Sequence, residues 1–257
     1  MNLDQGGEQY HFRGKHILLK LSGEVLAGSD GAGISPAAVE HFVRAVQILA
    51  DASLGVGLVI GGGNIFRGAQ TKCRGRERVQ GDYMGMMATI INALALKSAF
   101  DQTRVEAQLF TPFYLPAFSQ SYSVDGALEV LKRSGVAIFA GGTGNPFCTT
   151  DSAAALRAAE TNAFLLAKGT KVDGVYEKDP VIFSEAKRFE HLDYQKVIES
   201  NLKVMDLGAI ALCRDSGIPV FVFSSEKLEN FEAIAQGDWS VGTLVGKRPE
   251  LPDNGAD

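Results

Sequence analysis

GGTGNPFCTTD, residues 141–151, decides how this chain is read. It holds three glycines, three threonines and a proline within eleven residues. On its N-terminal side lies VAIFA (136–140), uniformly apolar and of strand length. On its C-terminal side lies DSAAALRAAE (151–160), which reads as a helix. A permissive turn between a buried strand and a helix has two readings. It is tight-turn chemistry alone, or it is a site for an anionic ligand. Glycine lets oxygens approach the backbone closely, and a helix start presents unpaired N–H groups.

The same alternation extends in both directions. HILLKLS (16–22), LGVGLVI (54–60), EAQLF (106–110), AFLLA (163–167) and PVFVFS (219–224) are the further strand candidates. Helical stretches lie at 35–52, 81–100, 125–135, 151–160 and 204–217. Ser35 suits an N-cap and Pro36 the first helical position, while Gly217 and Pro219 close the last helix. Strands this apolar are covered on both faces. The pattern predicts a three-layer αβα sandwich with a mainly parallel central sheet. It forms a single domain over residues 15–246, with a leader at 1–14 and a polar tail at 247–257.

Bulk properties exclude several classes. The chain has 257 residues, 46% of them hydrophobic, enough for a sizeable core. Net charge is -5 and no lysine or arginine run exceeds two residues, which argues against nucleic acid as a partner. Cys73, Cys148 and Cys213 have no CxxC spacing, so neither a disulfide framework nor a zinc site is expected. The four histidines show no ligand spacing, and no metal site is assigned. No uninterrupted apolar run reaches the roughly 20 residues of a membrane span. Nor do the first fourteen residues resemble a signal peptide. No membrane partner and a cytoplasmic location are the expectation.

Three predicted strand ends carry unusual turns: LLKLSGE (18–24), VIGGGNIFRG (59–68) and the opening stretch. Ligands of open α/β sheets bind beyond the carboxyl ends of the strands. Lys20 interrupts an apolar strand, where its ammonium needs water or an anion; it either snorkels at an edge or aims at phosphates. Arg67 is suited to a bidentate phosphate grip or is a surface arginine. Asp82 either caps the helix at 81 or contacts a sugar hydroxyl. Val-Asp-Gly-Val (172–175) is a hairpin turn signal, but the polar residues around it exceed what a hairpin needs. Lys203 is a second phosphate cation or a solvated lysine. Cys148, with no base partner in view, reads as a small packing residue. Neither GxxxxGK[ST] nor GxGxxG is present: Ala69 and Gln70 follow Gly68, so any nucleotide is held by another device.

KLSGE, VIGGGNIFRG, GDYMGMMAT, GTGNPFCTTDSAA, TKVDGVYEKDP and LKVMDLGA follow one another in this order. Together they resemble the amino acid kinase fold family, and within it the bacterial uridylate (UMP) kinases. The likeness runs from Lys15 to Gly246, and GTGNPFCTTD is its most specific piece. It implies phosphoryl transfer from ATP, with Mg2+, to UMP. Lys20, Leu21, Ser22, Gly23, Gly63 and Arg67 would meet the ATP phosphates. Thr170, Tyr176 and Asp179 would hold the adenosine. Gly62, Asp82 and the run Thr143, Gly144, Asn145, Pro146, Phe147, Cys148, Thr149 and Thr150 would take UMP. Lys20, Arg67, Asp151 and Lys203 would be the catalytic group. The resemblance further implies a homohexamer activated by GTP, with residues 28–33 as the GTP-linked segment, and inhibited by UTP. The chain departs from the pattern at VIFSEAKRF (181–189). A kinase of the same fold acting on a carboxylate or carbamate is the alternative, and a non-enzymatic anion binder is a third.

Overall fold

HILLKL forms strand β1 (His16–Leu21), buried along its whole length, and GVGLVI forms β2 (Gly55–Ile60) beside it. The computed structural model describes Phe12, residues 14–66 and residues 75–250. The further strands are β3 (Ala107–Thr111), β4 (Gln120–Ser121), β5 (Val136–Phe139), β6 (Leu165–Thr170), β7 (His191–Leu192), β8 (Val220–Ser224) and β9 (Gly242–Val245). They make one sheet in the order β4-β3-β5-β2-β1-β6-β8-β9-β7. Every pairing is parallel except β8 with β9.

Helices α1 (Pro36–Asp51), α2 (Arg76–Phe100), α3 (Val124–Lys132), α4 (Thr150–Thr161), α5 (Tyr194–Glu199), α6 (Leu207–Asp215) and α7 (Leu228–Ala235) cover the two faces. Strand side chains alternate between faces. Ile17, Leu19 and Leu21 join one core with residues of α1, α2 and α7. Leu18 and Leu166 join the other with residues of α3, α4 and α6. The fold is therefore the mainly parallel three-layer sandwich that the alternation predicts.

Four local expectations change. The second helix begins at Arg76, not at 81, so Asp82 sits inside α2 and does not cap it. β6 begins at Leu165 and runs on through Lys168 to Thr170, because β1 and β8 supply its ladder on both sides. Val-Asp-Gly-Val makes no hairpin; the chain beyond it forms only an isolated bridge between Tyr176 and Arg188. Ser35 takes the N-cap position of α1 without a side-chain capping bond. α2 is long and apolar enough by length and composition to cross a membrane, yet its Ile90, Ala93, Leu96 and Phe100 are buried in the first core. Short elements such as β4, β7, β9, α5 and α7 carry too few residues for a periodic signal.

At the opposite end of β1 from its glycine turn, His16 is buried, and its Nε2 finds no hydrogen-bond partner among the described residues. Burial lowers its pKa to about 4, against an opposing hydrogen bond with the Thr161 backbone. The unfolded chain, with an ordinary histidine pKa near 6.5, then binds more protons than the folded one between about pH 4 and 6.5. This contribution to stability is complete above about pH 6.5 and is lost as pH falls toward 4, by about 3 kcal/mol in all. In His16→Leu, urea midpoints measured from about pH 7 down to about pH 4.5 should decline less steeply than in the wild type. Parallel declines would contradict this role for His16.

Candidate functional site

The register of β1 against β6 pairs Lys20 with Lys168. Both follow the alternation that turns Leu18 and Leu166 toward the second core, so both lysines lie on the face that α4 covers. The GGTGNPFCTTD turn leads β5 into α4, whose N-cap is Thr149. Thr149 Oγ1 accepts from the backbone N–H of Asp151 at 3.0 Å and of Ser152 at 3.2 Å. This capping places Asp151 in the first helical turn, where the helix dipole favours a carboxylate.

Asp151 meets both lysines. Lys20 Nζ lies 2.7 Å from Oδ1, and Lys168 Nζ donates to Oδ2 at 2.9 Å. Burial alone would raise the Asp151 pKa; the Lys20 and Lys168 charges and their hydrogen bonds outweigh it and hold the carboxyl below its usual range. Lys168 is pushed down, first by burial and then by Lys20, with Asp151 opposing. The three side chains are only 10%, 14% and 15% exposed. Two ammoniums thus share one carboxylate in a nearly dry place, and the nearby Asp206 carboxylate also favours the charged form of Lys168.

α6 is tied into the same corner. Asp206 caps α6 by accepting from Ala209 N at 2.8 Å. Its other oxygen accepts from Thr149 Oγ1 and, at 3.1 Å, from Ser152 Oγ. Lys168 Nζ also donates to the Val204 carbonyl at 2.7 Å.

A cleft of about 480 Å³ opens beside this corner. Gly62, Gly63, Asp82, Cys148, Thr149 and Thr150 line it, together with Arg78 and Met86. The loop 143–147 enters and leaves this cleft at Gly142 and Cys148. Phe147 N donates to Asp82 Oδ2 at 2.8 Å, and Arg78 Nε donates to both Asp82 oxygens at 2.8 and 2.9 Å. A second cleft of about 360 Å³ gathers Tyr176, Asp179 and Lys203. Asp151 follows Thr150 of the first cleft, and Val204 follows Lys203 of the second, so the ion cluster touches residues adjoining both.

The remaining expected site residues are placed as follows. Ser22 caps a pair of 3-10 turns over Gly23–Asp30, accepting from Glu24 N at 3.4 Å. Leu21 buries its side chain in the first core, and its carbonyl accepts from Gly61 N. Thr170 Oγ1 donates to the Val172 carbonyl at 2.5 Å. Tyr176 donates to Asp173 at 2.6 Å, and Asp179 accepts from Val181 N at 2.9 Å. Lys203 stands in the second cleft, while the cation beside Lys20 at Asp151 is Lys168. Lys20 is buried and ion-paired, not a snorkelling edge lysine. Cys148 is exposed in the first cleft, which corrects its reading as a packing residue. Arg67 lies outside the described residues.

Sequence reasoning missed Lys168, Asn64, Thr89, Asn92 and Asp206. Asn64 and Asn92 are buried and donate to each other's side-chain oxygens at 2.9 and 2.7 Å. Asn92 also donates to Gly61 O at 2.8 Å. Thr89 Oγ1 accepts from Gly141 N at 2.8 Å. A polar residue inside the apolar run TIINALAL (89–96), like a lysine ending the run AFLLAK (163–168), was the available signal.

Residues 15–224 match the model of the amino acid kinase family. A uridylate kinase of Magnetococcus marinus is 47% identical over 238 residues, 93% of this chain and 98% of its own. One from Actinobacillus pleuropneumoniae is 45% identical over 90% of this chain and 97% of its own. Among solved structures, UMP kinase from Bacillus anthracis superposes with a TM-score of 0.86 at 35% identity, covering 90% of this chain and 96% of that one. UMP kinase from Ureaplasma parvum gives 0.82 at 34% identity, over 91% of this chain and 99% of that one. The chain belongs to the amino acid kinase family, and within it to the uridylate kinases.

Proposed function

We propose that this chain transfers the γ-phosphoryl group of ATP to UMP, giving ADP and UDP, beside the ion cluster that adjoins both clefts. The observation that carries this reading is the Lys20–Asp151–Lys168 cluster, two nearly buried ammoniums side by side at the carboxyl ends of adjacent strands. A phosphoryl group is the kind of anion that two paired ammoniums at strand ends can grip.

A UMP phosphate oxygen, already anionic, attacks the γ-phosphorus, and the bond to the β,γ-bridging oxygen breaks with its electrons passing to ADP. No proton has to move, so no general base is required. The task is to bring two polyanions into line and to hold charge on the equatorial oxygens. Lys20 and Lys168 serve that charge from fixed positions. Thr150 N, at the start of α4 and not taken by the Thr149 cap, and the backbone of Gly62 supply N–H donors. Asp151 orients the two ammoniums and does not take up a proton. The first cleft is the acceptor side, with Asp82 at the sugar. The second is the adenosine side, with Tyr176, Asp179 and Lys203.

Mg2+ would neutralise further phosphate charge when it is bound. Among the described residues no three His, Cys, Asp or Glu side chains converge on a common point. Asp151 is committed to two lysines, and Asp206 to two hydroxyls and a helix cap. The chain does not fit a protein-held cage, and an ion entering on the nucleotide phosphates is the form consistent with these donors.

The reading extends to control by GTP and UTP and to a hexamer. In its support, Gly33 N donates to Asn64 O at 3.0 Å and Asn64 Nδ2 to Gly33 O at 2.7 Å, joining segment 28–33 to the second glycine turn. Met84, Met87 and Ile91 form an exposed apolar stripe on α2 that suits self-association. Sedimentation should give a hexamer that Ile91→Glu shifts toward smaller species. A wild-type monomer would remove this part of the reading.

A coupled ADP-release assay offering UMP, CMP, carbamate and N-acetylglutamate should give turnover chiefly with UMP. Preference for carbamate or N-acetylglutamate would overturn the function. Lys20→Ala and Lys168→Met should each lower kcat by roughly 10²–10³. Lys168→Met should do so without lowering the thermal midpoint, because it removes one of two like charges crowded into a nearly dry place and leaves Asp151 paired with Lys20. Asp151→Asn should lose both activity and on the order of 3 kcal/mol of stability, since two ammoniums are then left facing each other. Near-normal turnover in a folded Lys168→Met enzyme would take that lysine out of the mechanism.

A further inference from the structure

Arg78 and Asp82 lie one helical turn apart on α2, and both line the first cleft. Arg78 Nε reaches both Asp82 oxygens, at 2.8 and 2.9 Å. Phe147 N reaches Oδ2 of the same carboxylate at 2.8 Å. The Arg78 guanidinium carbon also stands 5.7 Å from the centroid of the Phe147 ring. Helix cation, helix carboxylate and loop residue therefore close a triangle at the mouth of the cleft.

Neither helix stability nor loop preference accounts for this triangle. An i,i+4 pair with the cation nearer the helix N-terminus is the less favourable order. The Arg78 side chain is 43% exposed, where ion pairs contribute little. Phe147 has φ 67, a left-handed conformation that non-glycine residues avoid. The loop is held in that shape by its contacts, and the Asp82 carboxylate is one of them.

We propose that Arg78 is a positioning residue that sets the sugar selectivity of the acceptor cleft by fixing the Asp82 carboxylate. This rests on the reading of the first cleft as the UMP site. An ionised carboxylate has about four acceptor positions. Arg78 takes one on each oxygen and Phe147 a second on Oδ2, which leaves one on Oδ1. With its orientation locked from two sides, that remaining position is directed at a single hydroxyl. A site built this way rejects an analogue that lacks the hydroxyl more strongly than an apolar pocket can.

The test compares UMP with dUMP and 3′-deoxy-UMP in the full-length enzyme, reading the ratio of kcat/KM values and the KM for ATP. The wild type should prefer UMP over at least one deoxy acceptor. Arg78→Gln should cut that preference roughly tenfold or more and raise the KM for UMP, with the KM for ATP unmoved. Asp82→Asn should cut the preference at least as far, and the double variant should be no less selective than Asp82→Asn alone, because Arg78 acts only through Asp82. Arg78→Lys, which keeps a donor, should recover part of the loss. If Asp82→Asn lowers the preference while Arg78→Gln leaves it intact, the inference is overturned and the acceptor site stands. Multiplicative losses in the double variant also overturn it. If Asp82→Asn changes no ratio, the assignment of the cleft falls together with the inference.

Discussion

The buried meeting of Lys20 and Lys168 on one carboxylate is the constraint around which the rest is arranged. Like charges side by side on neighbouring strands are unfavourable, and burial adds to the cost. Asp151 stands between the two ammoniums, and the Asp206 carboxylate further favours the charge on Lys168. To deliver the Asp151 carboxylate, α4 has to start over the carboxyl ends of β1 and β6 and not beyond them. That is why the third turn ends in Thr149, whose hydroxyl starts the helix and also binds Asp206. Asp206 in turn sets the start of α6, and the Val204 carbonyl just before it accepts from Lys168. Two helix starts, two strand ends and one ion cluster are thus mutually dependent. Truncating Asp151 in particular leaves two nearly buried ammoniums without the carboxylate they share.

The frame was legible where chemistry interrupts a simple period. β2, β5 and β8 are near-continuous apolar runs, and Lys20 is conspicuous because it breaks the otherwise apolar run of β1. Lys168 was hidden because the apolar run before it ends at Ala167, so Lys-Gly-Thr reads as loop. The strand continues there because β1 and β8 offer ladder bonds on both sides, a tertiary fact that no local pattern carries. The start of α2 was hidden for the converse reason: RERVQG (76–81) is polar and ends in glycine, yet it is helical. That shift of less than two turns changes Asp82 from a candidate cap into a side chain facing a cleft. Cys148 was misread because a small sulfur residue between apolar and hydroxyl neighbours resembles core, whereas the turn that carries it stands out from the sheet.

α2 is the common support of the glycine turns. Asn92 holds the Gly61 carbonyl, Thr89 holds the Gly141 amide and Asp82 holds the Phe147 amide. The three contacts fall at successive places along one helix, so the second and third turns are referenced to a single rigid rod. A displacement of α2 would move the floor and the loop of the first cleft together. The reciprocal Asn64–Asn92 pair adds the segment after the first turn to the same frame, since Asn64 also donates to Gly33 O.

This arrangement gives the turn glycines a second purpose. A Cβ on Gly23 would stand 2.4 Å from Gly61 O, and one on Gly62 would stand 2.7 Å from the Ala88 Cβ and 3.0 Å from Gly85 O. Neither contact is with a ligand. The first and second turns touch each other, and the second lies against α2, so closely that a side chain has no room. Glycine at these two positions is therefore demanded by the protein's own packing before any phosphate arrives. Glycine-rich turns at strand ends are accordingly weak testimony about binding when taken alone. Better testimony for the proposed anion site is the pair of nearly buried ammoniums that meet at Asp151 on adjacent strands. Like charges placed together in a dry corner cost stability that packing alone does not require.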